Sequence, residues 1–459
     1  MAVKSKEESV FFCANCGYES RKWMGQCPAC KQWNTFAEEK VIKAPSQTGQ
    51  KAGLRRAAAD IQPVRLQDIR SDEEERISTG FEEFSRVLGG GIVPGSLVLV
   101  GGDPGVGKST LLLQAVRNIA AAGKSVIYFS GEESLKQIKL RADRIGSLEG
   151  NLRFVSETDM DLILGVLERE KPDICVIDSI QTMYSPDVQS IPGSVSQVRE
   201  CAQRMMICAK QQNIATFLVG HVTKEGTVAG PRVLEHIVDT VLYFESGEQF
   251  GYRVLRSAKN RFGSTNEIGV FEMSESGLKE VPNPSEYLLE GRPQNATGAV
   301  VTCLVEGSRP MLMEVQGLVA ETQYGLPRRQ ANGMDYNRLT MLLAVLTKRA
   351  GVNIGQMDAY VNIAGGMKIT QPSADLAVIS AIMSSLRNVS IPENTVIFGE
   401  VGLSGEVRSV PQAAERIKES VKLGFSRIVM PYGNLKGLEK PEGVEIIGIR
   451  FIAELFALL

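Results

Sequence analysis

The run Gly102-Asp103-Pro104-Gly105-Val106-Gly107-Lys108-Ser109, continued by Thr110, fits the phosphate-cradling pattern G-x4-G-K-[S/T]. Glycines at those places let backbone N–H groups close around phosphate oxygens, and a helix starting there adds a favourable dipole. Lys108 is expected to reach the β- and γ-phosphates of ATP, and Ser109 to ligate Mg2+. Asp178 ends the apolar run ICVID, where a carboxylate can hold Mg2+ through water; a plain helix cap is the simpler use. Glu132 and Glu133 follow another apolar run in FSGEES. At least one is expected to polarise the attacking water, and the residues alone do not choose between them. Both could instead open the next helix, where the dipole favours acids. His221, after TFLVG, is a candidate γ-phosphate sensor or an ordinary packing residue.

A second chemistry is written in Cys13-x2-Cys16-x10-Cys27-x2-Cys30. Each CxxC pair can offer two thiolates to one metal, and four thiolates suit tetrahedral Zn2+. No fifth ligand is evident, so the expectation is a closed structural ribbon, with Trp23 and Trp33 covering its small core. Two CxxC disulfides are the alternative in an oxidising compartment. The other four cysteines, Cys175, Cys201, Cys208 and Cys303, are scattered and read as small buried apolar residues.

These residues need elements to hold them. Ser96–Gly101, Ser125–Ser130, Asp173–Asp178 and Thr216–Gly220 read as buried strands. Thr110–Ala122 and Val195–Asn213 read as helices between them. Such alternation predicts an α/β domain with a mostly parallel sheet and helices on both faces. The proline-bearing stretch Val281–Pro293 reads as a boundary. Beyond it, strands at Ala299–Val305 and Met311–Val319 and helices at Tyr336–Arg349, Ser373–Leu386 and Gln412–Leu423 predict a mixed α+β domain. The expected order is a zinc ribbon over 10–36, a linker over 37–70, an ATPase over 71–285 and a second domain over 286–459. The linker is basic, with Lys43, Lys51, Arg55, Arg56, Arg65 and Arg70 against Asp60 and Asp68, and reads equally as a solvated tether or a DNA contact.

The chain has 459 residues, 43% hydrophobic and 23% charged, with a net charge of −2. That balance excludes a uniformly basic nucleic-acid coat but not a local basic channel. No stretch approaches the roughly 20 apolar residues of a membrane span. The start MAVKSKEESVFF lacks a signal-peptide core, so a cytoplasmic setting without membrane partners is expected.

Taken together, the cysteines, GDPGVGKST, SGEES, the VID strand, GHVTKEG and the pentapeptide Lys259-Asn260-Arg261-Phe262-Gly263 resemble the bacterial DNA repair protein RadA (Sms) family over nearly the whole chain. KNRFG is the signature separating that family from clock-type and recombinase relatives. The resemblance implies a RecA-like DNA-dependent ATPase of homologous recombination that assembles, as its relatives do, into a hexameric ring on single-stranded and branched DNA. It implies extension and branch migration of recombination intermediates together with the RecA recombinase. Lys259 and Arg261 would then act on a neighbouring subunit's ATP or on DNA. Taken alone, KNRFG reads equally as a solvated basic turn.

The chain from about residue 290 resembles the proteolytic domain of Lon protease, best at Gln371-Pro-Ser373-Ala-Asp375. A serine needs a base, and the lysine that serves in Lon falls on Ala414 by ungapped alignment. Lys418 and Lys422 lie one and two helical turns further on. Asp375 and Pro411 stand where small glycines are expected. The domain is therefore expected to lack peptidase activity and to serve as scaffold and DNA surface, with Arg328, Arg329, Arg338, Lys348 and Arg349 as candidate phosphate contacts or a solvated charged face. An ATP-dependent protease and a nucleotide-switched scaffold are the rival functions.

Overall fold

The computed structural model describes residues 8–13, 18–20, 22–28, 31–41, 65, 76–147, 149–221, 234–246, 252–322, 325–366 and 368–458. By internal contacts the chain divides into two compact units. One holds residues 1–245 with 253–265 and 271–280; the other holds 281–459 with the short pieces 246–252 and 266–270.

At the N-terminus, β1 (Glu8–Cys13) pairs antiparallel with β2 (Glu19–Ser20) and β3 (Phe36–Val41). The last of these runs past residue 36 into the stretch expected to be linker, because Glu8 to Cys13 find their partners as far as Val41. The rest of that stretch, apart from Arg65, lies outside the described residues.

The first unit is built on a nine-stranded sheet. After the short α1 (Glu82–Val87), β4 (Leu97–Gly102) leads into α2 (Lys108–Ala121), then β5 (Val126–Ser130) into α3 (Leu135–Ile145). β6 (Leu152–Ser156) and α4 (Met160–Glu170) follow, then β7 (Ile174–Asp178), α5 (Val195–Gln212) and β8 (Ala215–Val219). The chain continues through β9 (Thr240–Ser246), β10 (Tyr252–Asn260), β11 (Ile268–Ser274) and β12 (Gly277–Glu280). The strand order is β12-β11-β10-β9-β4-β8-β7-β5-β6, and the six strands from β9 to β6 run parallel.

Alternating side chains of the central strands feed two separate cores. Val98, Val100, Val126, Tyr128 and Val176 pack with α1, α2 and α3, whereas Leu97, Leu99, Ile127, Phe129 and Ile177 pack with α4 and α5. Burial on both faces is why these strands read as unbroken apolar runs. The antiparallel pair β11–β12 and its neighbour β10 were not among the expected strands; β10 alternates buried and part-exposed positions instead of forming such a run.

In the second unit the strands are β13 (Ala299–Glu306), β14 (Arg309–Glu321), β15 (Arg329–Asn332), β16 (Met357–Ile363) and β17 (Thr395–Ile397). A small hairpin of β18 (Glu400–Val401) and β19 (Val407–Arg408) precedes β20 (Arg427–Pro431) and β21 (Glu445–Ile449). The seven-stranded order is β15-β16-β14-β13-β17-β20-β21. Helices α6 (Tyr336–Arg349) and α7 (Asp375–Arg387) share one core with the sheet, and α8 (Ala413–Lys422) shares another.

Candidate ATP site and zinc ribbon

Because β4, β5, β7 and β8 are parallel, their C-terminal ends meet along one edge of the sheet, where ligands of open α/β sheets gather. That edge receives the Gly102–Ser109 loop, Glu132, Asp178 and His221. Gly102 and Gly107 adopt φ of 149° and 111°, which favours glycine there. A Cβ on Gly102 would also strike the Phe244 carbonyl, and one on Gly107 would come within 2.9 Å of Met273 Cε.

The Lys108 ammonium folds back on its own loop, donating to Gly102 O at 2.8 Å and Asp103 O at 3.0 Å. It also lies 3.4 Å from His221 Nδ1. Burial lowers its pKa from 10.5, opposed by the charges of Asp178, Glu132 and Asp103. Ser109 follows it in the first turn of α2. Asp178 is buried at the tip of β7 and accepts a hydrogen bond from the Tyr128 hydroxyl. Burial, then the neighbouring Asp178, pushes that hydroxyl well above 10.0, so it remains a donor. Ser109 and Asp178 are the hard oxygen donors that Mg2+ takes.

The two glutamates part company. Both precede Ser134, the residue that caps α3 with Gln137 in a reciprocal box, so neither opens that helix. Glu132 accepts from the Ser179 hydroxyl and lies 3.1 Å from His221 Nε2. Glu133 turns to an ion pair with Arg141. Ser179 and Tyr128 were not singled out from the sequence; Ser179 follows the tip of β7 and Tyr128 lies within β5, both strands that were expected. The segment 222–226 of GHVTKEG lies outside the described residues.

KNRFG lies at the other end of the sheet. Asp239, buried just before β9, accepts from Leu97 N at 3.1 Å at the start of β4, from Lys210 Nζ at 2.7 Å and from Arg261 Nη1 at 3.3 Å. Lys259 donates to Glu235 O and Val238 O at 2.6 and 2.8 Å. Burial and then the Arg261 charge lower its pKa. Asn260 Nδ2 donates to Val87 O at 3.3 Å, and Phe262 O accepts from Arg76 at 2.8 Å. Gly263 packs so closely on Gly89 that a Cβ would come within 2.8 Å of its Cα. The six residues of β4 put about 20 Å between this turn and the phosphate loop of the same chain.

In the ribbon, Cys13 and Cys27 are buried, and the backbone N–H of each donates to the carbonyl five residues on. Cys13 N donates to Tyr18 O and Cys27 N to Gln32 O, each at 2.9 Å. Two buried thiols with the same backbone hydrogen-bond spacing fit a tetrahedral thiolate site for Zn2+; Cys16 and Cys30, the other expected ligands, lie outside the described residues. Trp23 and Trp33 do not cover a core: they are 56% and 68% exposed, since so small a sheet has no interior deep enough for an indole. Cys175, Cys201, Cys208 and Cys303 are buried in the two larger units. Burial pushes the Cys201 and Cys303 thiols up to about 12 and that of Cys208 to about 11.

In the second unit, Ser373 is buried and its Oγ lies 3.4 Å from Gln371 Oε1, which also accepts from Arg416 at 3.4 Å. Ala414, where a lysine was sought, faces solvent. The inward positions of α8 are Ala413, Arg416, Ile417 and Ser420. Arg416, missed from the sequence, is 1% exposed and donates to Cys303 O and Pro411 O. Of the candidate phosphate contacts, Arg338 is committed to Asp375 and Arg329 donates to Met357 O and Ile354 O, whereas Arg328, Lys348 and Arg349 are exposed.

These features define a P-loop ATPase core in a chain that also bears a cysteine ribbon. Matching family models are described as AAA domain over residues 62–227, Rubredoxin metal binding domain over 11–38 and Subunit ChlI of Mg-chelatase over 316–434. The proteins named DNA repair protein RadA from Bacillus subtilis and Listeria monocytogenes are 51% and 49% identical to this chain, each over 98% of both partners. A KaiC-like protein from Pyrococcus horikoshii is 20% identical, covering 45% of this chain and 99% of its own with a TM-score of 0.38. The chain belongs to the bacterial DNA repair protein RadA family. No described helix is long and apolar enough to cross a membrane.

Proposed function

We propose that this protein is a DNA-dependent ATPase that assembles into a ring, a hexamer by resemblance, on single-stranded and branched DNA. There it uses ATP to extend and branch-migrate recombination intermediates with the RecA recombinase. One observation carries the reading: Lys259 and Arg261 sit at the opposite end of β4 from the phosphate loop. Cations so placed serve another subunit's nucleotide or a DNA backbone, not their own ATP.

In the ATP step, Lys108 would exchange its loop carbonyls for the β- and γ-phosphates. Mg2+, when bound, neutralises phosphate charge and would be held by Ser109 and, through water, by Asp178. The Tyr128 hydroxyl fixes the Asp178 carboxylate. Glu132, held by Ser179 and His221, would orient and polarise the attacking water, and His221, which touches both Lys108 and Glu132, would register the γ-phosphate between them.

A peptidase reading is opposed by Arg416. The charged group linked to Ser373 through Gln371 is a guanidinium, which stays protonated and accepts no proton.

ATP turnover with and without single-stranded DNA, and displacement of the invading strand from a D-loop, test the proposal. Wild type should be stimulated by DNA and displace the strand, and Lys108→Ala should do neither. Turnover indifferent to DNA would refute the motor, and ATP-driven cleavage of an unfolded protein that requires Ser373 would establish the peptidase.

A further inference from the structure

The ribbon carries the only two tryptophans of the sequence and leaves both in water, at 56% and 68% exposure. They converge on one place. A Cβ on Gly25 would touch Trp33 Cζ3 at 3.6 Å and Trp23 Cη2 at 3.8 Å, so the glycine leaves a notch between two indoles. The backbone beneath is tied down: Asn34 N donates to Gly25 O at 2.7 Å, and Gln26 bridges to Trp33. Lys22, the neighbour of Trp23 in the chain, and Lys31, two residues before Trp33, are both exposed. Lys31 N donates to Cys27 O at 2.8 Å and its carbonyl accepts from Gln26 Nε2 at 3.0 Å. Residues 18–36 carry Arg21, Lys22 and Lys31 against Glu19 as the one acid.

Flat π-faces bordered by cations match an unpaired nucleotide, whose base offers a face to stack and whose phosphate offers a charge to pair. A duplex hides those faces in its own stack, which favours the single strand. We propose that Trp23 and Trp33 form a stacking platform for the bases of single-stranded DNA, with Lys22 and Lys31 on the adjoining phosphates. This rests on the reading of the chain as a machine working on single strands, and assigns the ribbon a direct part in holding them.

With no other tryptophan in the chain, indole emission reports on this platform alone. The full-length, zinc-loaded protein is titrated with oligothymidylate while emission and the anisotropy of a labelled oligomer are followed together. Emission should be quenched in step with the anisotropy rise. An abasic oligomer of equal length should bind more weakly and quench little, and a duplex should not quench. Replacing both residues, Trp23→Ala with Trp33→Ala, should weaken binding roughly tenfold or more while zinc content and DNA-free ATP turnover stay unchanged. The Trp23→Phe, Trp33→Phe pair should keep most of the affinity. An anisotropy rise with unchanged emission, or undiminished affinity in the alanine pair, overturns the platform and leaves the motor standing. No anisotropy rise at all removes the single-strand reading, and the platform with it.

Discussion

Glu132 Oε1 lies 3.1 Å from His221 Nε2, and this contact separates two adjacent glutamates. The ring that meets Glu132 also reaches Lys108, whereas Glu133 is turned to Arg141. Glu132→Gln should therefore lower ATP turnover about a hundredfold or more while nucleotide still binds. Glu133→Gln should stay within about tenfold of wild type. Phosphate release and binding of a fluorescent nucleotide measure the two effects. Equal losses in both variants would return the role to the pair.

Lys108 couples ATP binding to protons. Burial holds its free-state pKa below 10.5, and bound phosphates favour the ammonium, so the complex binds more protons than the free protein. Affinity should thus be level below the lowered free-state value and fall as pH rises from it towards 10.5. Calorimetry in two buffers of different ionisation enthalpy should show proton uptake in that window, absent in Lys108→Ala. Proton release would reverse the sign and count against the assignment.

Placement of KNRFG far from the phosphate loop makes a mixing experiment decisive. Lys259→Ala and Lys108→Ala should each be nearly inactive alone. Mixed, they should recover a measurable part of DNA-stimulated turnover, because some interfaces then pair an intact loop with an intact Lys259. No recovery across mixing ratios would mean that Lys259 acts on DNA or within its own chain.

The Arg338–Asp375 pair is structural. Burial raises the Asp375 pKa, opposed by hydrogen bonds from Arg338 and from Val401 N. Arg338→Ala leaves a carboxylate that is nearly fully buried without its cation, and should destabilise the second unit by about 3 kcal/mol. Replacing the two together by Met and Leu should recover most of that loss. Hydrogen exchange of the Asp375–Arg387 helix in urea reads both; an unchanged midpoint in Arg338→Ala would free that arginine for phosphate.

Much of the candidate ATP site's geometry was legible because its signals are local. A glycine pattern, a strand and a helix start follow one another in sequence, and strands buried on both faces announce themselves as apolar runs. What failed to show was decided across the chain. The choice between Glu132 and Glu133 depends on Ser179 and His221, which a parallel sheet brings to the same edge from distant positions. Strand β10 mixes buried and part-exposed positions, β11 has a buried apolar run of only four residues and β12 of two, so none announces itself as β4 or β7 does. In α8, ungapped spacing pointed to Ala414, but helical phase turns that position outward and Arg416 inward. Trp23 and Trp33 misled for the opposite reason, since large apolar residues are assigned to interiors by default and this sheet is too small to have one.

Arg416 also bears on what this fold could become. Its guanidinium ties the start of its own helix to Cys303 O on strand β13 and lies 5.7 Å from the centre of the Phe398 ring. Any substitution that made room for a titratable amine there would first loosen those ties. A variant with an amine in its place would lose folding stability before it could offer Ser373 a base, so a first step from this chain towards peptide cleavage runs downhill in stability and behaves as a ratchet.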